Sequence, residues 1–363
     1  MPNQPVIVIG AGVIGLTVAN KLLQSTCYDV TIVAGHIPDT IFSASMRSPK
    51  WASPWAGAHW RASSSSKDKL LQQMEIQTYN EMLDLAVNEP ESGISTATGV
   101  DLYENLTEKP WYSTMVKDAL NIPTKELPPG VSHGLQYTTL LINVPQYLVY
   151  LRTKFTNAGG KIVCRALRSI SEALDVTGAN SERLPVIVNC TGLGSKYLSD
   201  VADKAMYPIR GQTVLVHAPD AKRTITRIGA AFGYTIPRGD GSVILGGTAE
   251  KNSWETEPDS DTTTTILQRA LTLEPALLPG DASAWSTKSM NERVAALEKS
   301  IISVNVGFRP MRDGGVRLET ESFRDPSSGK QFNVVHCYGH AGYGYQSSLA
   351  FAQRVCELVD EAT

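Results

Sequence analysis

Two stretches hold residues whose types and spacing point to chemistry. In VIVIGAGVIGL, Gly10-x-Gly12-x-x-Gly15 follows four β-type residues (6–9) and opens a helical pattern at Leu16, Ala19, Leu22 and Leu23. The first glycine permits a tight turn, the second lets a diphosphate approach the backbone, and the third lets helix and strand pack closely. A diphosphate would sit on the free amides of a helix N-terminus there, with Ala11, Val13 and Ile14 around it. In GFRPMRDGG (307–315), Arg309 and Arg312 lie in a stiff, apolar run bracketed by glycines. Fixed positive charge in such a run predicts a bound anion.

A second strand, DVTIV (29–33), follows closely and ends in Ala34-Gly35-His36, without the carboxylate that usually meets an adenosine ribose. The fingerprint therefore predicts a dinucleotide without choosing between NAD and FAD. Bounds on the whole chain narrow the class. Its 363 residues, 42% hydrophobic, suffice for two domains or one large one. The net charge of −3 and the lack of a long basic stretch argue against a nucleic-acid groove. No run of eighteen apolar residues is present, so no membrane span is expected. The chain enters a strand by Val6, which leaves no room for a signal peptide. Five scattered cysteines without a CxxC pair suggest a reduced, intracellular protein with no metal site.

The elements that must position these residues follow from pattern. An amphipathic helix covers about 67–87, residues 90–145 are mixed, and a second helix over about 145–157 leads into a strand at 161–164. LPVIVNCTGLGS (184–195) reads as a buried strand ending in a small-residue turn, and 205–250 as antiparallel strands. The end of the chain reads as a strand, a glycine-rich turn and a closing helix. The expected class is α/β with an α+β substrate domain. A discontinuous Rossmann-like domain (1–60, 145–200 and 305–363) carries the dinucleotide. A β-rich substrate domain (61–144 and 201–304) is inserted in it. Such discontinuity is usual for a flavin oxidase and unusual for an NAD dehydrogenase.

Seven segments in order, VIGAGVIGL, ASPWAGAHW, VNCTGLG, RGQTVLV, YTIPRGDGSVILGGT, GFRPMRDGGVRLE and HCYGHAGYG, resemble the D-amino-acid oxidase family nearly end to end. The resemblance implies non-covalent FAD and oxidation of a D-α-amino acid to an imino acid, which gives the 2-oxo acid and ammonia. Oxygen is then reduced to hydrogen peroxide. It implies that Arg309 forms a two-pronged ion pair with the substrate α-carboxylate, that the Tyr234 hydroxyl also bonds that carboxylate, and that the Gly342 carbonyl accepts the amino group. The turn with Gly339, Gly342, Tyr343, Gly344, Tyr345 and Gln346 would face the flavin, Tyr345 also meeting substrate. Ala56, Gly57 and Ala58 would approach the flavin, Thr191, Gly192 and Leu167 the adenine side, and Arg47 and Ser48 the diphosphate. His336 and His340 flank the last turn and are read as structural, since the family's hydride transfer needs no base. Arg312 and Arg317 are read as ion-pair partners.

The lid APDAKRTITRIGAAFGY is short and holds no tyrosine before Tyr234. Arg227 stands seven residues before Tyr234, the offset of a side-chain-binding arginine in D-aspartate oxidases, while Ala249 replaces a second arginine after GGT. His59 is the replacement donor. The expected substrate is D-aspartate, with D-glutamate next. Competing readings are an oxidase of neutral D-amino acids, a glycine or sarcosine oxidase, an NAD-linked dehydrogenase and an inert FAD-binding scaffold. Arg227 competes with a solvated loop charge, and His59 with packing against Trp55 and Trp60. Small-molecule partners, a D-amino acid and oxygen, are expected, with a homo-oligomer left open. Peroxisomal location follows from the resemblance. The chain ends DEAT rather than in a Ser-Lys-Leu-type signal, so cytoplasmic location is the alternative.

Overall fold

Residues 6–8 of the first strand are wholly buried, which is the mark of a strand covered on both faces. In the computed structural model, which describes residues 3–39, 48–65, 67–177, 184–281 and 283–363, this strand is central to a six-stranded sheet. Its members are β1 (Gln4–Ile9), β2 (Tyr28–Ala34), β6 (Lys161–Cys164), β7 (Val186–Asn189), β14 (Arg317–Arg324) and β15 (Gln331–Tyr338), in the order β14-β15-β7-β1-β2-β6. All neighbours pair in parallel except β14 and β15. Helices α1 (Val13–Leu22), α2 (Lys69–Asn88), α3 (Val144–Asn157) and α7 (Gly344–Ala362) share one apolar core with the strands. Polar caps fix two of them: Asp68 accepts from the Leu71 amide (3.0 Å) and Asn143 from the Gln146 amide (3.5 Å).

The second sheet has nine strands: β3 (Ile94–Tyr103), β4 (Leu120–Asn121), β5 (His133–Ile142), β8 (Met206–His217), β9 (Thr224–Ile228), β10 (Gly233–Pro237), β11 (Ser242–Gly246), β12 (Glu250–Lys251) and β13 (Ile301–Arg312). Their order is β12-β8-β11-β10-β9-β3-β5-β4, with β13 also on β8. Helices α4 (Ser260–Leu273), α5 (Ser283–Ser286) and α6 (Met290–Glu298) follow on its outer side. Val214, Val216, Val243 and Leu245 pack there against Ile266, Leu267, Leu271 and Leu297. Since side chains alternate along a strand, Thr213 and Gly211 face the other way, toward the first sheet.

The parallel core and the antiparallel strands of 205–250 match expectation. Strands β3 and β5 lie inside the stretch 90–145 that reads as mixed, because threonine and glycine mask their alternation. The expected division at residue 305 cuts β13, which stays paired with β8 as far as Arg312. The chain passes to the parallel sheet after that residue.

Candidate active site

A cavity of about 730 Å³ is lined by both sheets. At one end stands the glycine fingerprint. A Cβ on Gly15 would lie 2.0 Å from the Gly10 carbonyl oxygen, and one on Gly10 would lie 2.6 Å from that of Cys190. Gly10 also has φ +111°, which disfavours any side chain. Helix α1 therefore begins hard against β1 and β7, and its N-cap residue, Gly12, supplies no capping side chain. Its Val13 amide donates to the Ser53 hydroxyl (3.0 Å), and the first turn as a whole presents backbone donors. Helix α7 likewise starts without a side-chain cap, among residues lining the same cavity. Two positive helix ends and a backbone cradle fit a diphosphate-bearing dinucleotide, and they fit FAD.

Ala11, Gly12, Val13 and Ile14 line this end, as do Thr191, Gly192 and Leu167. Ala56, Gly57 and Ala58 line the middle, with Gly339, Gly342, Tyr343, Gly344 and Gln346 of the last turn. Two assignments change, and a third falls where the structure is not described. Gly15 supports the cradle from behind rather than lining it. Ser48 is not among the lining residues; its carbonyl accepts from Trp55 Nε1 (3.0 Å). Arg47 lies outside the described residues. Where a ribose-binding carboxylate is absent, His36 stacks on Trp51, with ring centres 5.8 Å apart and planes 12° apart, and both line the cavity.

Three glycines make room for Arg309 and Tyr234. Arg309 lies on β13, and its guanidinium crosses β8 over Gly211, where a Cβ would come within 2.4 Å of Nη1. Nη1 donates to the Thr248 carbonyl (3.0 Å), and Arg309 has no carboxylate partner among the described residues. From the other side, the Tyr234 ring lies over Gly246 and Gly247, whose Cβ atoms would meet its hydroxyl at 2.3 and 2.8 Å. That hydroxyl has no protein partner among the described residues. The two side chains thus converge on one spot above β8 and β11. The last turn sits on them: a Cβ on Gly342 would be 3.2 Å from Arg309 Cδ, and the Ala341 amide donates to the Pro310 carbonyl (2.9 Å).

Sheet register extends this wall. Tyr234 pairs with Thr226, and Thr226 with Asp101, so all three side chains share the cavity face. Arg227, next to Thr226, therefore points to the opposite face. It is paired with Glu104 (Nε to Oε1, 2.8 Å) and donates to the Pro129 carbonyl (3.2 Å). Glu104 also accepts the amides of Ala230 and Ala231 (2.7 and 3.0 Å), so Arg227 anchors the lid and is not a cavity residue. The offset of seven residues is right for a hairpin neighbour of Tyr234 and wrong for its face. Tyr345 lines the cavity as well, and its buried hydroxyl donates to the Ser53 carbonyl (2.9 Å), tying α7 to the segment that leads to Ala56.

His59 does line the cavity, with Nδ1 2.8 Å from the Thr224 hydroxyl. Burial, aided by the charge of Arg61, pushes its pKa down to about 3, so the ring is neutral at neutral pH. Arg61, two residues on, also lines the cavity and is missed by sequence reasoning, although an extended segment puts i and i+2 on one side. Its Nε donates to Asp101 Oδ1 (3.2 Å), and Asp101 Oδ2 accepts the hydroxyls of Tyr112 and Tyr137. Burial opposes the charge of Arg61, but Asp101 together with the surrounding Tyr112, Tyr103 and Tyr137 outweighs it and raises its pKa.

His336 is buried and accepts from Asn189 Nδ2 at Nδ1 (3.1 Å), leaving Nε2–H to donate to Glu321 (3.1 Å). Burial, with Arg317 beside it, lowers its pKa to about 4. His340 packs edge-on against Phe351 at 4.7 Å. Arg312 pairs with Asp203 (2.8 Å), and Arg317 with Glu319 and Glu321 (2.6 and 2.7 Å).

Residues 5–358 match the family model described as DAO, FAD dependent oxidoreductase. The chain is 32% identical to a D-aspartate oxidase of Cryptococcus neoformans var. grubii, over 99% of this chain and 98% of that one. It is 34% identical to a D-amino-acid oxidase of Fusarium vanettenii, over 99% and 97%. A glycine oxidase structure from Bacillus cereus superposes with a TM-score of 0.70 at 18% identity, covering 99% of this chain and 96% of that one, which speaks to fold alone. A fingerprint cradle with two helix N-termini around one cavity, and matches that span almost the whole chain, place this protein in the DAO family of FAD-dependent oxidoreductases.

Proposed function

We propose that this enzyme oxidises D-α-amino acids, acidic ones preferred, to the imino acid, which water converts to the 2-oxo acid and ammonia. The convergence of Arg309 and Tyr234 beside the last turn carries the reading. A planar guanidinium and a hydroxyl, neither neutralised by a carboxylate of the chain, suit an α-carboxylate. The Gly342 carbonyl accepts the neutral amino group, so that Arg309, Tyr234 and Gly342 orient the Cα–H toward the cofactor. Bound FAD would supply the acceptor for the α-hydrogen and its electron pair, and oxygen would take up that pair with two protons as hydrogen peroxide. The α7 N-terminus supplies positive potential at that end of the cavity, and orientation provides most of the rate. No histidine is needed as base, consistent with His336 being bonded to Asn189 and Glu321 and His340 packing on Phe351.

The acidic preference is supported by two nitrogen donors, His59 and Arg61, in the wall beyond Tyr234, and by the D-aspartate oxidase among the relatives. A neutral side chain would leave these donors desolvated and unmatched. Peroxide release by the purified enzyme with D-aspartate, D-glutamate, D-alanine, their L-isomers, glycine and sarcosine tests the reading. The highest kcat/KM is expected with D-aspartate or D-glutamate. A higher value with D-alanine refutes the acidic preference, and a higher one with glycine or sarcosine refutes the D-amino-acid reading. A peroxide product agrees with the peroxisomal location that we also propose, which imaging of the tagged full-length product in cells would check.

A further inference from the structure

The wall beyond Tyr234 contains a charge whose role is not exhausted by its partner. We propose that Arg61, steered by Asp101, pairs with the side-chain carboxylate of an acidic D-amino acid and so sets substrate preference. This rests on the reading of the enzyme as an oxidase of acidic D-amino acids.

The row Tyr234–Thr226–Asp101 runs straight across β10, β9 and β3. Two strand spacings, about 10 Å, separate its ends, and the Tyr234 hydroxyl stands one strand further from Asp101, over Gly246. An amino acid held at its α-carboxylate by Tyr234 and Arg309 has its side chain free to extend along this row. A second carboxylate then bridges to a guanidinium reaching back from Asp101, with a hydrogen bond of about 2.9 Å at either end of the substrate. Between them Thr226 carries a hydroxyl with no partner among the described residues.

Asp101 is a poor terminus for Arg61 and a good support for it. Its side chain is 1% exposed, and both oxygens are engaged, one by Arg61 Nε and the other by Tyr112 and Tyr137. Arg61 is 23% exposed and gives Nε to this pair, and the Tyr103 hydroxyl lies within hydrogen-bonding reach of its guanidinium. A guanidinium fixed by its Nε edge presents its other edge for two parallel bonds to a carboxylate. The remaining cations do not compete. Arg227 is held by Glu104 on the opposite face, and Arg309 is taken by the α-carboxylate. Arg165 lies beside Gly35 at the far end, close to Asp175 (3.7 Å), and Lys50 adjoins Trp51 near Gly12.

Removing Arg61 alone strands a buried carboxylate, so two variants are compared: Arg61→Lys, which keeps the charge, and the double variant Arg61→Gln with Asp101→Asn, which removes both charges together. Each is first checked for the visible flavin spectrum. The readout is the ratio of kcat/KM for D-aspartate to that for D-alanine, with KM and kcat resolved. The double variant should lose on the order of a hundredfold in this ratio, mostly through KM for D-aspartate, and Arg61→Lys should lose less. A merely structural pair would depress both substrates together. A ratio within about twofold of wild type in flavin-loaded variants overturns the assignment while leaving the acidic reading intact. A wild-type enzyme that itself prefers D-alanine removes both.

Discussion

The two sheets meet at one cavity and build their halves of it by opposite means. The parallel sheet works by what it lacks. Gly10 and Gly15 let β1, β7 and α1 approach until backbone is laid bare at the start of α1, where a diphosphate meets amides and a helix dipole. The nine-stranded sheet works mainly by what it carries. Arg309, Tyr234, His59 and Arg61 reach over the sheet, and strand register decides which of them face the cavity. A backbone site is fixed by local spacing, whereas a side-chain site depends on partners far away in the sequence. Glu104, which claims Arg227, is 123 residues from it.

Substitutions should expose the difference. Gly15→Val should have the largest effect, because the clash is with the Gly10 backbone and cannot be relieved by a side-chain rotation. Purified protein should be colourless or insoluble; a yellow, stable variant would show that the close approach is dispensable. Arg309→Leu should keep the flavin yet lose about a thousandfold or more in kcat/KM for every D-amino acid. Steady-state kinetics on the flavin-loaded variant decide this, and a change in KM of a few-fold with normal kcat would assign the α-carboxylate to another group.

Gly211→Ala blurs the contrast, since here the substrate half also depends on an absent side chain. The new Cβ meets only the mobile end of Arg309, so fold and flavin should survive while the clamp shifts. A loss of about ten- to a hundredfold in kcat/KM is expected, with an unchanged flavin spectrum and melting curve. Unchanged kinetics would mean that the guanidinium need not lie over β8. Arg227→Ala should have the smallest effect on specificity. The D-aspartate to D-alanine ratio should stay within about twofold, with the loss seen in lid order by hydrogen exchange at residues 228–232. A collapse of the ratio would return Arg227 to the substrate.

What is legible in the sequence follows the same division. The fingerprint, the parallel strands and the last turn can be read directly, because few structures besides a nucleotide-binding α/β unit demand that glycine spacing beside continuous apolar runs. Arg309 is legible through its odd setting of fixed charge in an apolar run. The far wall is not. Period-2 alternation places Arg227 and Tyr234 on opposite faces once Tyr234 is known to pair with Thr226, but that register is set by the turn at 229–232 and by Glu104. His59 can be picked out and Arg61 escapes, though both sit in WAGAHWRAS with one residue between them. The long strands β3 and β5, which supply Asp101 and Tyr137, are hidden by threonine and glycine.

We propose that Arg309 and Tyr234 present the Cα–H of a D-amino acid, best an acidic one, to the bound flavin. Anaerobic mixing of the yellow enzyme with D-aspartate, followed at the flavin absorbance, tests it most directly. Rapid and complete bleaching is expected with D-aspartate, slower bleaching with D-alanine, and none with L-aspartate. Bleaching by L-aspartate, or none by any D-amino acid, would contradict it.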